Sequence, residues 1–327
     1  MSLPTFQLLR PKTLDEAVAF LATHAGEVKV IAGGTDLLPS MKQKLFTPPY
    51  VLDLRGITEL CGIHEMPGGA VTIGALTTLA ALEHSPLIRR DYSVLYHATK
   101  TVASPVLRNM GTLGGNICLD TRCLWYNQSL LWRKSCGFCL KKDGDLCHVA
   151  PGGKTCWAAF SGDTPPALLC LGAEIEIAGP DGMRRIPLAD FYVNDGIAHL
   201  QLSRSEIVTR IYLPEASKGW RGSYQKLRVR GSIDYPLAGV AVALKMREGR
   251  VEDARMAITA VNPAPHLVKD ADSQLISAKL GEDLADKVGE LASRSAKPLT
   301  TSALTPEYRR EMVKVFAKRA LLDAAAN

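Results

Sequence analysis

Five of the chain's eight cysteines, Cys123, Cys136, Cys139, Cys147 and Cys156, fall in one short segment. Their spacing, Cys123-x15-Cys139-x7-Cys147-x8-Cys156 with Cys136 extra, supplies enough thiolates to ligate a metal. Four thiolates converging from loops suit a tetrahedral zinc or a cubane iron–sulfur cluster. A zinc ribbon would use two C-x-x-C knuckles, and only Cys136-Gly137-Phe138-Cys139 qualifies. His148, beside Cys147, could in principle join the ligands but reads as a surface histidine. Disulfides would suit a small secreted protein. Here the first 30 residues hold no charged region followed by a long apolar block, so ligation is the better reading. Spacing alone leaves iron–sulfur cluster, zinc and free thiols open. Cys61, Cys118 and Cys170, in apolar surroundings, read as small buried hydrophobes.

Two glycine loops form the second constellation. Ala32-Gly33-Gly34-Thr35-Asp36 and Thr112-Leu113-Gly114-Gly115-Asn116 each follow an apolar segment. Lacking Cβ atoms, such loops let consecutive N–H groups approach a phosphate, and a helix start behind them adds a favourable dipole. Thr35 and Asn116 could add side-chain hydrogen bonds. Neither loop is G-x-G-x-x-G or G-x-x-x-x-G-K-[ST], which argues against an ordinary NAD-binding Rossmann domain and a P-loop nucleotidase. Each alone reads as a turn; two in one chain favour a pyrophosphate cradle.

The elements that must position these residues can be read from pattern. Thr13-Leu14-Asp15-Glu16 is a capping box opening a helix with Leu14, Val18 and Leu21 on one face. Strands are predicted at Val28–Ala32 and Val51–Leu54, with a helical stretch Leu37–Lys44 between them, giving a small α/β unit in residues 1–57. Residues 58–217 hold a strand at Ala70–Ile73, helices at Thr78–Glu83 and Tyr92–Thr101, the second glycine loop, and the cysteine-rich insertion at about 118–160. Strand-like patterning resumes at Ala167–Ile177, Arg184–Pro187 and Ile207–Leu213. Residues 218–327 read as three strands, Tyr224–Arg230, Leu237–Met246 and Ala254–Val261, followed by helices Asp283–Ser295 and Pro306–Ala325. The predicted class is α+β, with a larger domain 1–217 and a small C-terminal domain 218–327.

These motifs together resemble the medium, flavin-containing subunits of the xanthine oxidase family. Val30-Ile31-Ala32-Gly33-Gly34-Thr35-Asp36-Leu37 and Thr112-Leu113-Gly114-Gly115-Asn116 look like that family's two FAD-binding loops. Ser161-Gly162-Asp163-Thr164-Pro165-Pro166-Ala167-Leu168-Leu169 looks like its next block. Tyr224-Gln225-Lys226 and Asp234-Tyr235-Pro236-Leu237-Ala238-Gly239-Val240 resemble the start of its C-terminal domain. The match runs in order along nearly the whole chain. Most members pass directly from the Gly-Gly-Asn loop to the Asp-Pro block. The forty or so residues between them here resemble the insertion of the β subunits of 4-hydroxybenzoyl-CoA reductases.

The resemblance implies a two-subdomain, PCMH-type FAD-binding domain with a small C-terminal domain. It implies that Ala32, Gly33, Gly34, Thr35, Asp36, Leu37, Thr112, Gly114, Gly115 and Asn116 hold FAD through backbone donors. Asp163 would bind near the adenosine ribose, Ile207 would pack on the ring system and Lys226 would sit near the flavin's polar edge. Cys123, Cys139, Cys147 and Cys156 would ligate a 4Fe–4S cluster, leaving Cys136 out. Implied partners are a molybdopterin-containing large subunit and a small subunit with 2Fe–2S clusters, arranged as a dimer of heterotrimers, with ferredoxin as electron donor. The chain itself would then carry no catalytic residue. The alternatives are the medium subunit of another aromatic or purine hydroxylase using NAD, and a zinc-stabilised assembly subunit without flavin.

Composition sets bounds on this. With 327 residues, 46% apolar and 22% charged, the chain can bury more than one core. The net charge of +6 is scattered, aromatics are only 6%, and no recognition motif is present, so no nucleic-acid partner is expected. No apolar run is long enough to span a bilayer. The expected location is cytoplasmic.

Overall fold

The computed structural model describes residues 2–326. The capping box closes in a shifted form. Thr13 accepts from the Glu16 N–H, while the Glu16 carboxylate takes the N–H of Lys12 at 2.7 Å. The helix it opens, Leu14–Thr23, buries Ala17 and Leu21. Around it lies a three-stranded parallel sheet in the order Gln7–Leu9, Tyr50–Asp53, Val28–Ile31. The central strand carries the buried Val51 and Leu52, as a strand flanked on both sides should.

The second subdomain is built on a five-stranded antiparallel sheet. Its order is Ile63–Glu65, Val71–Gly74, Ile207–Leu213, Glu174–Gly179, Gly182–Pro187. Helices Leu79–His84, Ser93–Lys100 and Leu113–Ile117 pack over it, each of the first and third capped by the threonine before it. One stretch differs from the sequence reading. Ala167–Ile177 does not continue as strand: Thr164–Cys170 is a helix, and the strand starts only at Glu174. Pro165 and Pro166 preset φ for a first helical turn, where a missing N–H costs nothing. Every residue of that helix is buried, so no polar face gives it a 3.6-residue period.

The C-terminal domain has the three long strands, Arg221–Leu227, Ala238–Arg247 and Arg250–Thr259, in antiparallel register. A fourth, two-residue strand, His266–Leu267, extends the edge. It follows the Pro263-Ala264-Pro265 turn and is too short to show alternation in sequence. Helices Glu282–Ser295 and Pro306–Ala326 cover one face, burying Val240, Val242, Leu244, Met256 and Ile258. The opposite face carries Ala241, Ala243 and Ala257, which pack into the core of the preceding domain. Small residues on that face let the helix Thr164–Cys170 lie close. They also place Tyr224 and Lys226, two apart and therefore on one face of the strand, against the same domain.

Candidate cofactor sites

Strand Val28–Ile31 delivers the first glycine loop to the second. A Cβ on Gly33 would lie 1.9 Å from the Met110 carbonyl oxygen, so only glycine permits this approach. Gly34 has φ +73°, which L side chains rarely adopt. Among the described residues, the N–H groups from Gly33 to Leu37 meet no protein acceptor. Consecutive free donors at a turn make a concavity for an anion such as a pyrophosphate.

The second loop is built differently. Thr112 caps the short helix Leu113–Ile117 by accepting from Gly115 N–H. The N–H groups of Leu113, Gly114 and Asn116 go to Thr77, Ala75 and Thr112 carbonyls. Gly114 must be glycine because a Cβ would sit 2.8 Å from the Ala75 methyl. Four of this loop's five N–H groups are thus already committed to the protein, and that of Thr112 meets no protein acceptor among the described residues. What it presents is the Asn116 amide, whose oxygen accepts from Thr164 N–H (3.0 Å) and Thr164 hydroxyl (2.7 Å), and whose amino group is left to donate.

Asp163, Tyr224 and Lys226 form one buried network. The Lys226 ammonium is 2.9 Å from Asp163 and donates to the Thr101 carbonyl at 3.0 Å. The Tyr224 hydroxyl donates to the other Asp163 oxygen at 2.8 Å. The side chains of Lys226 and Asp163 are only 2% and 4% exposed, so this lysine is not a surface residue. Burial pushes the Tyr224 phenol well above its ordinary range, and the neighbouring carboxylate adds to it. Ile207 starts its strand in a cluster with Leu52, Leu54 and Leu76, against which Ala32 packs. It thus shares a core with the first loop.

The cysteine insertion is pinched at its neck by a two-way backbone pair. Arg122 and Ala159 exchange N–H···O bonds of 2.8 Å, and everything from Cys123 to Ala158 lies beyond them. Cys123, Cys139, Cys147 and Cys156 line one small cavity, together with Trp125, Tyr126, Lys141 and His148. All four are buried, whereas Cys136 is half-buried at the end of helix Leu130–Ser135 and does not line the cavity. No three His, Cys, Asp or Glu among the described residues converge tightly enough for a single metal ion. Burial pushes the Cys123 thiol up to about 11 and raises Cys156, which the Ala158 N–H and the Lys141 ammonium pull back. His148 stacks on Trp125, with ring centroids 4.4 Å apart, and its Nε2 lies 2.5 Å from the Phe138 carbonyl, so it is a wall of the cavity. Of the three remaining cysteines, Cys170 is buried and Cys118 half-buried, but Cys61 is exposed at the end of a 3-10 turn, against the sequence expectation.

The two sites touch through residues whose roles the sequence did not reveal. Arg122, next to Cys123, makes a 2.7 Å ion pair with Asp36 of the first glycine loop. The Tyr235 hydroxyl donates to the same Asp36 oxygen at 2.7 Å, and its ring lies 3.9 Å under the guanidinium. Asp36 begins a helix without capping it because its carboxylate is occupied in this way. Nothing in the sequence puts residues 36, 122 and 235 together.

A cradle of free backbone donors, a second glycine loop packed against it and a buried Asp–Lys–Tyr network from the next domain define a nucleotide-cofactor flavoprotein fold. Family comparison gives that class its identity. The FAD binding domain in molybdopterin dehydrogenase matches residues 4–216, and the CO dehydrogenase flavoprotein C-terminal domain matches 222–324. The chain belongs to the FAD-binding medium subunits of the xanthine oxidase family of molybdenum hydroxylases, oxidoreductase flavoproteins. It is 31% identical over 322 residues to the carbon monoxide dehydrogenase medium chain of Afipia carboxidovorans, covering 98% of this chain and 97% of that one. The nicotine 6-hydroxylase medium subunit of Paenarthrobacter nicotinovorans is 28% identical, with 100% of this chain and 99% of that one covered. A crystal structure of the Cu,Mo-CO dehydrogenase in its cyanide-inactivated form superposes with a TM-score of 0.83 at 29% identity, covering 100% of this chain and 99% of that one. Among the described residues no helix is long and apolar enough to cross a membrane.

Proposed function

We propose that this chain carries FAD and a 4Fe–4S cluster and passes electrons between them within a heterotrimeric molybdenum enzyme of the 4-hydroxybenzoyl-CoA reductase type. The observation that carries the reading is the cysteine cavity. Four buried thiols from a closed insertion surround one space, one residue from an arginine bonded to the flavin loop. A zinc ion needs all its sulfurs about 2.3 Å from a single point. The four thiols that line one cavity would supply the four sulfur ligands of a 4Fe–4S group. Cys123, Cys139, Cys147 and Cys156 are its ligands in this reading, and Cys136 stays outside.

On the flavin side, the N–H groups of Gly33, Gly34, Thr35, Asp36 and Leu37 hold the pyrophosphate. Thr112, Gly114, Gly115 and Asn116 shape its second wall, and Asn116 donates its free amide. Asp163 and Lys226, paired and buried at the join of domains 1–217 and 218–327, shape the site rather than offering free charges to it. Ile207 backs the ring system with apolar surface, and Ala32 leads into the pyrophosphate loop. FAD supplies a carrier able to hold one or two electrons, and the cluster supplies single ones; the protein's work is to hold both and exclude water.

The molybdenum cofactor then belongs to a large subunit and the 2Fe–2S clusters to a small one, in a dimer of heterotrimers located in the cytoplasm. Reduced ferredoxin is the donor, and the reaction on the large subunit is removal of the phenolic hydroxyl to give benzoyl-CoA. Anaerobic purification with iron, sulfide and flavin analysis tests the cofactors. Iron and sulfide near four per flavin in the isolated subunit are expected. Zinc without iron would overturn the cluster and leave the zinc-stabilised alternative. Donor preference is tested on the complex: reduction by ferredoxin and not by NADH is expected, and the reverse would place the chain with NAD-linked hydroxylases.

A further inference from the structure

Lys141 is buried beside the cysteine cavity, and the flavin site makes no use of it. Its side chain is 6% exposed and lines the cavity directly. The ammonium donates to Asp120 at 2.7 Å, to the Thr121 carbonyl at 3.1 Å, to the Thr121 hydroxyl, and to the Gly196 carbonyl at 2.9 Å. It also lies 4.4 Å from the Tyr126 ring centroid, and the Tyr126 hydroxyl donates to the other Asp120 oxygen at 2.9 Å.

These partners come from each side of the cavity. Asp120, Thr121 and Tyr126 bracket Cys123. Lys141 itself follows Cys139 by two residues. Gly196 donates its N–H to the Cys156 carbonyl at 2.8 Å, and a Cβ on Gly196 would lie 2.7 Å from the Cys156 sulfur. One ammonium therefore ties three of the four cysteine-bearing segments together. A buried cation this close to thiolates also favours the more negatively charged state of whatever they bind, because the low-dielectric surroundings screen it little. Asp120 opposes it with a fixed negative charge on the far side of the ammonium's hydrogen bonds.

We propose that Lys141 and Asp120 form a charge pair that positions the cysteine ligands and sets the reduction potential of the group they hold. This rests on the cluster reading above. Removing the lysine charge leaves the half-buried Asp120 carboxylate unopposed and makes the potential more negative. Removing the aspartate charge leaves the ammonium unopposed and makes it more positive. A purely structural role would not produce shifts of opposite sign.

The test is a redox titration followed by electron paramagnetic resonance on the anaerobically purified complex, with iron, sulfide and flavin measured on each sample. Lys141→Gln is expected to lower the midpoint potential, Asp120→Asn to raise it, and Lys141→Arg to stay near the wild type. Loss of iron from Lys141→Gln with flavin retained would support the positioning role, and Asp120→Asn and Lys141→Arg would then decide the charge effect. If Lys141→Gln does not fold, those same two variants carry the decision. Unchanged potentials, or shifts of the same sign, in proteins with wild-type iron overturn this proposal alone. A wild-type complex with flavin but no iron–sulfur signal beyond that of its small subunit overturns the cluster reading as well.

Discussion

In the flavin cradle the backbone carries the geometry. Gly33 touches a main-chain carbonyl, Gly114 a neighbouring alanine, and the free N–H groups follow from the turn itself. In the cysteine insertion side chains carry it. The segment has one short helix, and its shape depends on charged groups turned inward. Arg133 is 1% exposed and donates to the Lys44 carbonyl; Lys141 is held by Asp120 and Gly196; Arg122 is held by Asp36. A backbone-built site is preorganised by close packing and should tolerate little volume change. A side-chain-built site depends on desolvated charges, each costly to leave alone. The two regions should therefore fail in different ways.

The sharpest separation is by cofactor. If the proposed cluster is present, Cys123→Ser or Cys156→Ser should abolish its iron while the flavin-to-protein ratio stays near the wild type. Joint loss of flavin and iron would mean that the Arg122–Asp36 contact makes the two sites one unit. Next in size is the buried pair of the flavin side. Lys226→Ala leaves Asp163 charged and buried with only Tyr224 to satisfy it, which should cost about 3–5 kcal/mol of stability in denaturant unfolding. The double change Lys226→Met with Asp163→Asn should recover much of that. A loss below about 1 kcal/mol for Lys226→Ala would mean that water reaches the pair.

The tight turn at Gly33 and Gly34 is legible in sequence because glycine announces it: a residue without Cβ in a tight turn is a local signal. The cysteines were legible as a set because thiols are scarce. Their clamps were not. Lys141 and Arg133 read as ordinary surface charges, and their partners Gly196 and Lys44 lie 55 and 89 residues away. Lys226 too is satisfied across the fold, and the strand's two-residue period sets it beside Tyr224 on the inward face. The helix Thr164–Cys170 was misread because complete burial erases the period that distinguishes helix from strand. Short-range steric signals survive in a sequence, whereas a charge satisfied across a fold looks the same as one satisfied by water.

A pair of glycine substitutions probes the contrast directly. Gly33→Ala forces a methyl into the Met110 carbonyl and should cost about 1–3 kcal/mol with a measurable fall in bound flavin. Gly137→Ala, in the insertion, has φ +77° but nothing within 4 Å of the new methyl, so it should cost only the left-handed strain of about 1–2 kcal/mol and leave flavin untouched. Equal flavin loss in both would show that the loops are not steric devices.

The smallest effect concerns acid. Burial holds His97, His199 and His266 below the ordinary histidine value of 6.5. The native state then binds fewer protons than the unfolded chain once pH drops below that value. Their contribution to stability is complete above pH 6.5 and is lost as pH falls through the depressed native values. Staying above about pH 5 keeps most carboxylates out of the measurement. Between pH 7.5 and 5.5 the midpoint of thermal unfolding should fall, with a slope of at most about 1.4 kcal/mol per pH unit for each proton taken up. His266→Gln, in the C-terminal domain, should flatten the slope without changing either cofactor. His199→Gln removes the ring that contacts the Leu119 carbonyl at 3.0 Å, on the chain between the second glycine loop and Cys123. It should flatten the slope and also weaken the insertion, so a change confined to acid stability would show that the insertion's hold does not run through that ring.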